Sequence, residues 1–194
     1  FIFFFFSTIR QLGFDHVLVV SGAHQGKVWI DYFRQHLPAI RSRFSSLQME
    51  VQPLSTEEYA ELKTLGLDGV MVYQETYHEP TYDQYHLRGK KKDFRWRLET
   101  PDRLGQAGVD KIGLGALLGL GDWRTDSLMV ARHLQYLRKT YWQSRYSISF
   151  PRLRPCTGGF QPEHPMNDRQ LLQLICAYRL FDPEVELSLS TREG

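Results

Sequence analysis

The sequence predicts an α/β fold, an incomplete parallel (β/α) barrel of the TIM type. Three observations carry the prediction. Short apolar runs recur along the chain, helix-like stripes lie between them, and each run ends on polar residues. The stretch Val70–Glu79, VMVYQETYHE, shows the pattern most clearly, with Val70, Met71, Val72 and Tyr73 running into Gln74, Glu75, Tyr77 and His78. A continuous apolar run of this kind reads as a strand buried on both faces, as in a parallel sheet under helices. Polar chemistry at the C-terminal end of such a strand is where α/β folds place ligands.

Strands are expected at His16–Val20, Leu47–Val51, Val70–Tyr73, Ile112–Leu118, Tyr146–Phe150 and Val185–Leu189. Between the first two, Trp29, Phe33, Leu37, Ile40 and Phe44 keep one apolar face at spacings of three and four, and Pro38 is expected to kink or split that helix. Ser55-Thr56-Glu57-Glu58 is a capping box opening a short helix that Gly66 closes. Val130, Leu134, Leu137 and Tyr141 form another stripe, and Asn167-Asp168 caps a helix running to about Leu180.

Successive strand starts lie about 23 to 42 residues apart, the rhythm of repeated βα units. A complete eight-stranded barrel takes about 250 residues. Six strand units in 194 residues therefore read as an incomplete barrel, with an open doubly wound sheet as the alternative. No linker or low-complexity segment divides the chain, so one domain is expected over residues 9–194. Residues 1–8 are set apart as a non-domain or artefactual segment. Their apolar run is too short to span a bilayer, which takes about 20 residues, and it lacks the basic region of a signal peptide.

The bulk numbers exclude several classes. A formal net charge of +2 gives no nucleic-acid footprint, and 42% hydrophobic with 24% charged residues is ordinary for a globular protein. Cys156 and Cys176 make neither a disulfide framework nor a common metal motif, so they read as ordinary thiols of a cytoplasmic protein.

In such a fold the residues after each strand line the site: Ser21 to His24, Gln52-Pro53, Gln74 to Tyr77, Gly119-Leu120, Pro151 to Arg154 and Ser190 to Glu193. No Ser-His-Asp order, HExxH or P-loop occurs, and Gly113-x-Gly115 is followed at 118 by Leu, so the dinucleotide fingerprint fails. The glycines suit a strand whose backbone a flat ligand approaches. Glu75 reads equally as a ligand acceptor or a rim ion-pair partner. Arg152 and Arg154 suit bidentate carboxylate binding, surface charge being the plainer reading. His24 and His78 read as rim hydrogen-bonders, and Arg88 to Lys92 as a solvated loop.

Longer motifs carry a resemblance. MVYQETYHEP, RWRLETPDRLGQAGVDKIGLGALLGL, WQSRYSISFPRLRPCTGG and ELSLSTRE together resemble the 2-iminoacetate synthase family, the radical S-adenosylmethionine (SAM) tyrosine lyases of thiamine biosynthesis. The likeness runs from about Ile9 to Glu193. It implies a radical SAM barrel of which this chain holds strands two to seven. It also implies cleavage of the tyrosine Cα–Cβ bond to 2-iminoacetate and p-cresol. The implied cofactors are SAM and a [4Fe–4S] cluster, whose CxxxCxxC ligands do not occur in this sequence; the fragment alone is therefore expected to be inactive.

The resemblance implies that Glu75 accepts the SAM ribose hydroxyls and that Arg97 pairs with the SAM carboxylate. Gly22 would lie near the SAM amino group, where the family has Gly-Glu and this chain has Gly22-Ala23. Gly115, Ala116, Leu118 and Leu153 would flank the adenine. Arg152 would hold the substrate carboxylate, with Arg154, Asn167 and Ser190 as neighbours. Tyrosine is the implied substrate and thiazole synthase the implied protein partner. The alternative reading is a non-catalytic remnant that binds that partner.

Overall fold

In a computed structural model of the 194-residue chain, the structure describes residues 2–21, 28–154, 161–189 and 193. Helix α1 (Ile2–Gln11) leads into strand β1 (His16–Val20), helix α2 (Val28–Arg41) and strand β2 (Ser46–Glu50). Helix α3 (Thr56–Thr64), strand β3 (Gly69–Met71) and helices α4 (Glu79–Tyr85), α5 (Phe94–Leu98) and α6 (Thr100–Gln106) follow. Strand β4 (Lys111–Gly115), helix α7 (Trp123–Thr140), strand β5 (Arg145–Ser149), helix α8 (Asp168–Phe181) and strand β6 (Glu186–Ser188) complete the order.

The six strands form one sheet in sequence order, and every adjacent pair is parallel. A doubly wound sheet reverses its strand order at a switch point. Uninterrupted order with a helical crossover after each strand is the path of a barrel wall, here a partial one. Residues facing the helices, among them Val70, Ile112, Leu114 and Ile148, are almost fully buried and belong to one apolar core.

Local signals in the sequence act as expected at two helix starts. Ser55 accepts from the Glu58 amide while the Glu58 side chain returns to Ser55, and Gly66 closes α3 with φ of 99°. Asn167 caps α8 reciprocally with Gln170. Three expectations need correction. α2 runs through Pro38 without splitting, because a proline removes one donor while the flanking turns, with Phe33, Leu37 and Ile40 buried, hold the helix. The ladders of β3 and β4 stop at Met71 and Gly115, short of the expected Tyr73 and Leu118. The boundary between residues 8 and 9 falls inside α1, and Phe6 packs edge-on to Phe44 at 5.9 Å, so this segment packs as part of the same body.

Candidate functional site

The concave face of the sheet and the C-terminal strand ends enclose a cavity of about 960 Å³. Met71 and Tyr73 line it, and each lies over a glycine. A Cβ on Gly113 would sit 1.8 Å from Met71 Sδ, so Met71 lies across that glycine. A Cβ on Gly115 would sit 2.8 Å from the Ser149 carbonyl oxygen and 3.0 Å from the Tyr73 ring. Tyr73 then reaches across to donate to Ser149 Oγ at 3.2 Å, and Ser149 meets Ser188 Oγ at 2.9 Å. A row of hydroxyls thus crosses three strands on the cavity side. Burial raises the Tyr73 phenol above its ordinary value.

Glu75 lines this cavity, and its Oε1 accepts from Arg97 Nη2 at 3.1 Å and Lys91 Nζ at 3.0 Å. Arg97 also donates through Nε to the Tyr73 carbonyl at 2.5 Å. α5 places Arg97: Asp93 caps it through the Trp96 amide at 2.8 Å. Buried Arg103 then stacks over the Trp96 ring at 3.6 Å and donates to the Leu54 carbonyl at 2.9 Å. Both residues expected to touch SAM through charge therefore meet in one cluster, which is also the ion pair of the plainer reading.

The basic run is exposed at Arg88, Gly89, Lys91 and Lys92, as expected of a solvated loop, and it also borders the cavity. Arg88, Gly89 and Lys91 form part of the cavity wall. Lys91 is fixed there because the phenol of Tyr82, fully buried, donates to the Lys91 carbonyl at 2.5 Å. Burial pushes that phenol up to about 12. Glu50, which the sequence reading passed over, also lines the cavity, and its carboxyl is raised by burial and by the nearby Glu75. Its place on the cavity face follows from the two-residue period of β2, whose Leu47 and Met49 are buried on the other face.

The residues expected to flank the adenine separate by the same alternation. Ala116 and Leu118 are turned into the core, while Leu117 between them reaches the cavity. Leu153 does not line the cavity; its amide donates to the Leu118 carbonyl at 2.9 Å. The arginines converge on one acidic side chain. Arg152 Nε donates to Glu193 Oε1 at 3.2 Å, Arg152 Nη2 to Glu193 Oε2, and Arg154 Nη2 to the same Oε2 at 2.7 Å. Arg152 Nη1 further donates to Asp168 at 2.7 Å and to the Met166 carbonyl at 3.1 Å. Asn167 spends its side-chain oxygen as the cap of α8 and does not line the cavity. Gly22 and Ser190, with Ala23, His24 and Cys156, lie outside the described residues. His78 meets Thr81 Oγ1 at 2.8 Å, and Cys176 is exposed.

Among the described residues no three His, Cys, Asp or Glu side chains form a metal-holding group. Two cysteines in the whole sequence cannot supply the three thiolates of a SAM-binding [4Fe–4S] cluster, so the residues present do not fit that group. No helix of the described residues is long and apolar enough to cross a membrane.

Residues 149–194 match the Biotin and Thiamin Synthesis associated domain. The 2-iminoacetate synthase of Escherichia coli K12 is 71% identical over 189 residues, which cover 97% of this chain and 50% of that protein. The Salmonella typhimurium LT2 2-iminoacetate synthase is 72% identical over 187 residues, with 96% and 50% covered. The chain spans about half the length of the curated relatives it matches. A crystal structure of HydG, a maturase of the [FeFe]-hydrogenase, superposes with a TM-score of 0.91 at 28% identity, covering 97% of this chain and 44% of that one. The chain is thus a relative of 2-iminoacetate synthase that corresponds to about half of such a protein, folded as part of a radical SAM barrel.

Proposed function

We propose that the chain forms the cofactor- and substrate-binding wall of a radical SAM carbon–carbon lyase acting on tyrosine. The observation that carries the reading is Glu75: one carboxylate oxygen is tied to Arg97 and Lys91, while the second accepts no hydrogen bond among the described residues of a large cavity. A carboxylate is an acceptor only, and a ribose diol offers two donors to it. Arg97 and Lys91, held beside it, suit the carboxylate end of the same ligand. Gly113 and Gly115 make room for Met71 and Tyr73 to lie flat against the sheet, and those two side chains line the cavity where a flat ring would rest. Those features fit SAM.

SAM, if bound beside a reduced cluster supplied from outside this chain, would provide a carbon-centred radical able to take a hydrogen atom from the substrate amine. This chain's residues do the rest of what can be assigned: Glu75 and Arg97 orient the cofactor, and the Arg152–Arg154 pair receives the substrate carboxylate, with Glu193 yielding or sharing the guanidinium fork. In a complete lyase of this kind the outcome would be Cα–Cβ cleavage of tyrosine to 2-iminoacetate and p-cresol, for a thiazole synthase in the cytoplasm. With no cluster ligands of its own, the 194-residue chain binds without turning over.

Isothermal titration with SAM tests the reading. Glu75→Gln should weaken binding about tenfold, equivalent to about 1.4 kcal/mol. Equal affinity of the two proteins would remove the basis for it.

A further inference from the structure

Glu75 has φ of 73°, alone among the described non-glycine residues in the left-handed region. A side chain held there persists only where its surroundings over-determine it. On one side the strands do this: the Gln74 amide donates to the Gly115 carbonyl at 3.0 Å, and the Leu117 amide donates to the Glu75 carbonyl at 2.7 Å. On the other side one carboxylate does it. Asp126 Oδ1, from the first turn of α7, accepts from the Tyr77 amide at 2.7 Å and from Thr76 Oγ1 at 3.0 Å. Thr76 Oγ1 in turn accepts from the His78 amide at 3.1 Å.

Asp126 is 1% exposed and does not line the cavity. Its Oδ2 accepts no hydrogen bond among the described residues. A buried carboxylate with half its acceptors unused is costly for the fold. The neighbouring loop is shaped to admit it: a Cβ on Gly121 would stand 3.0 Å from Thr76 Oγ1 and 3.2 Å from Asp126 Oδ2.

We propose that Asp126 is a positioning residue that fixes the Thr76–Tyr77 turn and so aims the Glu75 carboxylate at the hydroxyl pair of the ligand. This rests on the reading of the cavity as an adenosyl site and adds to it a residue that acts on binding only through Glu75. Asp126→Asn keeps an acceptor in place; Asp126→Ala removes it; Thr76→Val removes the hydroxyl link while filling the same space.

The test is a double-mutant cycle on SAM affinity by isothermal titration, with each change made alone and together with Glu75→Gln. Asp126→Ala should weaken binding about tenfold, Asp126→Asn and Thr76→Val less, and the Asp126→Ala penalty should fall below about threefold once Glu75→Gln is present. A penalty of the same size with and without Glu75→Gln, or no penalty, overturns the proposal. If Asp126→Ala does not fold, the Thr76→Val cycle decides, its penalty likewise having to shrink with Glu75→Gln. Failure of the unaltered chain to bind SAM sinks both this proposal and the adenosyl reading. Binding by the unaltered chain with no coupling sinks only this one.

Discussion

The Glu193 carboxylate lies in the fork of the Arg152 guanidinium, each of its oxygens accepting from a different nitrogen, with Arg154 on the outer oxygen. Both Arg152 and Glu193 side chains are nearly buried, at 4% and 6% exposure. The arginine holds Glu193 well below the ordinary carboxylate value of 4.5. The substrate carboxylate proposed for Arg152 would therefore compete with a carboxylate of the same chain.

Glu193→Gln should lower stability by about 1.5–3 kcal/mol, the range for hydrogen bonds to charged groups, because it leaves Arg152 short of its best partner. Asp168→Asn, at a side chain 91% exposed, should cost clearly less, because solvent screens an exposed pair. Urea unfolding of both variants checks the order. Equal losses would mean that Arg152 is not held chiefly by Glu193.

The cavity floor predicts a contrast between two glycines. Gly115→Ala presses on the backbone carbonyl of Ser149 and on the Tyr73 ring, whereas Gly113→Ala overlaps chiefly the flexible sulfur of Met71, whose Cα stands at 3.3 Å. Overpacking costs about 1–3 kcal/mol, and methionine yields readily. Gly115→Ala should therefore melt clearly below Gly113→Ala. The reverse order in a thermal melt would contradict the packing described.

Glu50 gives a pH dependence with a definite sign. Its folded-state pKa is raised above 4.5, first by burial and then by Glu75, so the folded chain holds that proton more tightly than the unfolded one. Its contribution makes stability fall as pH rises from 4.5 through the raised value. Asp126 acts in the same direction, from an ordinary value of 3.8. The lowered Glu193 works at the other end, its contribution being lost as pH falls below 4.5. Melting temperatures across pH should show a shallower decline above 4.5 for Glu50→Gln than for the unaltered chain. An unchanged slope would remove Glu50 as its source.

The chain alone should not assemble a catalytic cluster. Iron–sulfur clusters are held by several cysteine thiolates, and only Cys156 and Cys176 are available. After anaerobic reconstitution with iron and sulfide, reduction should give no cubane signal in electron paramagnetic resonance, and tyrosine with SAM should give no p-cresol. A stoichiometric cluster with p-cresol formation from this chain by itself would refute that expectation.

What the sequence determined by itself was the order of the strands and the four helices α2, α3, α7 and α8 between them. Apolar runs such as HVLVV and the stripe Phe33, Leu37, Ile40, Phe44 are local signals, and burial against any neighbour satisfies them. All six strands, the Ser55 capping box, the Asn167 cap and the partial-barrel path were legible for that reason. The meeting of Glu75 and Arg97 was legible only through a family likeness, since they stand 22 positions apart with α4 between them.

Tertiary structure alone decided how the rim is wired. Lys91 reads as one lysine in a basic run until Tyr82 pins its carbonyl and brings the ammonium to Glu75. Asp126 reads as an ordinary first-turn acid until burial sets it under the Thr76–Tyr77 turn. Which of Ala116, Leu117 and Leu118 faces the cavity depends on where the β4 ladder ends, and that end is set by cross-strand hydrogen bonds to Gln74 and Pro151. Hydrogen bonds between residues distant in sequence leave no periodicity behind. They exist only once the strands are in register and the chain has turned over their ends.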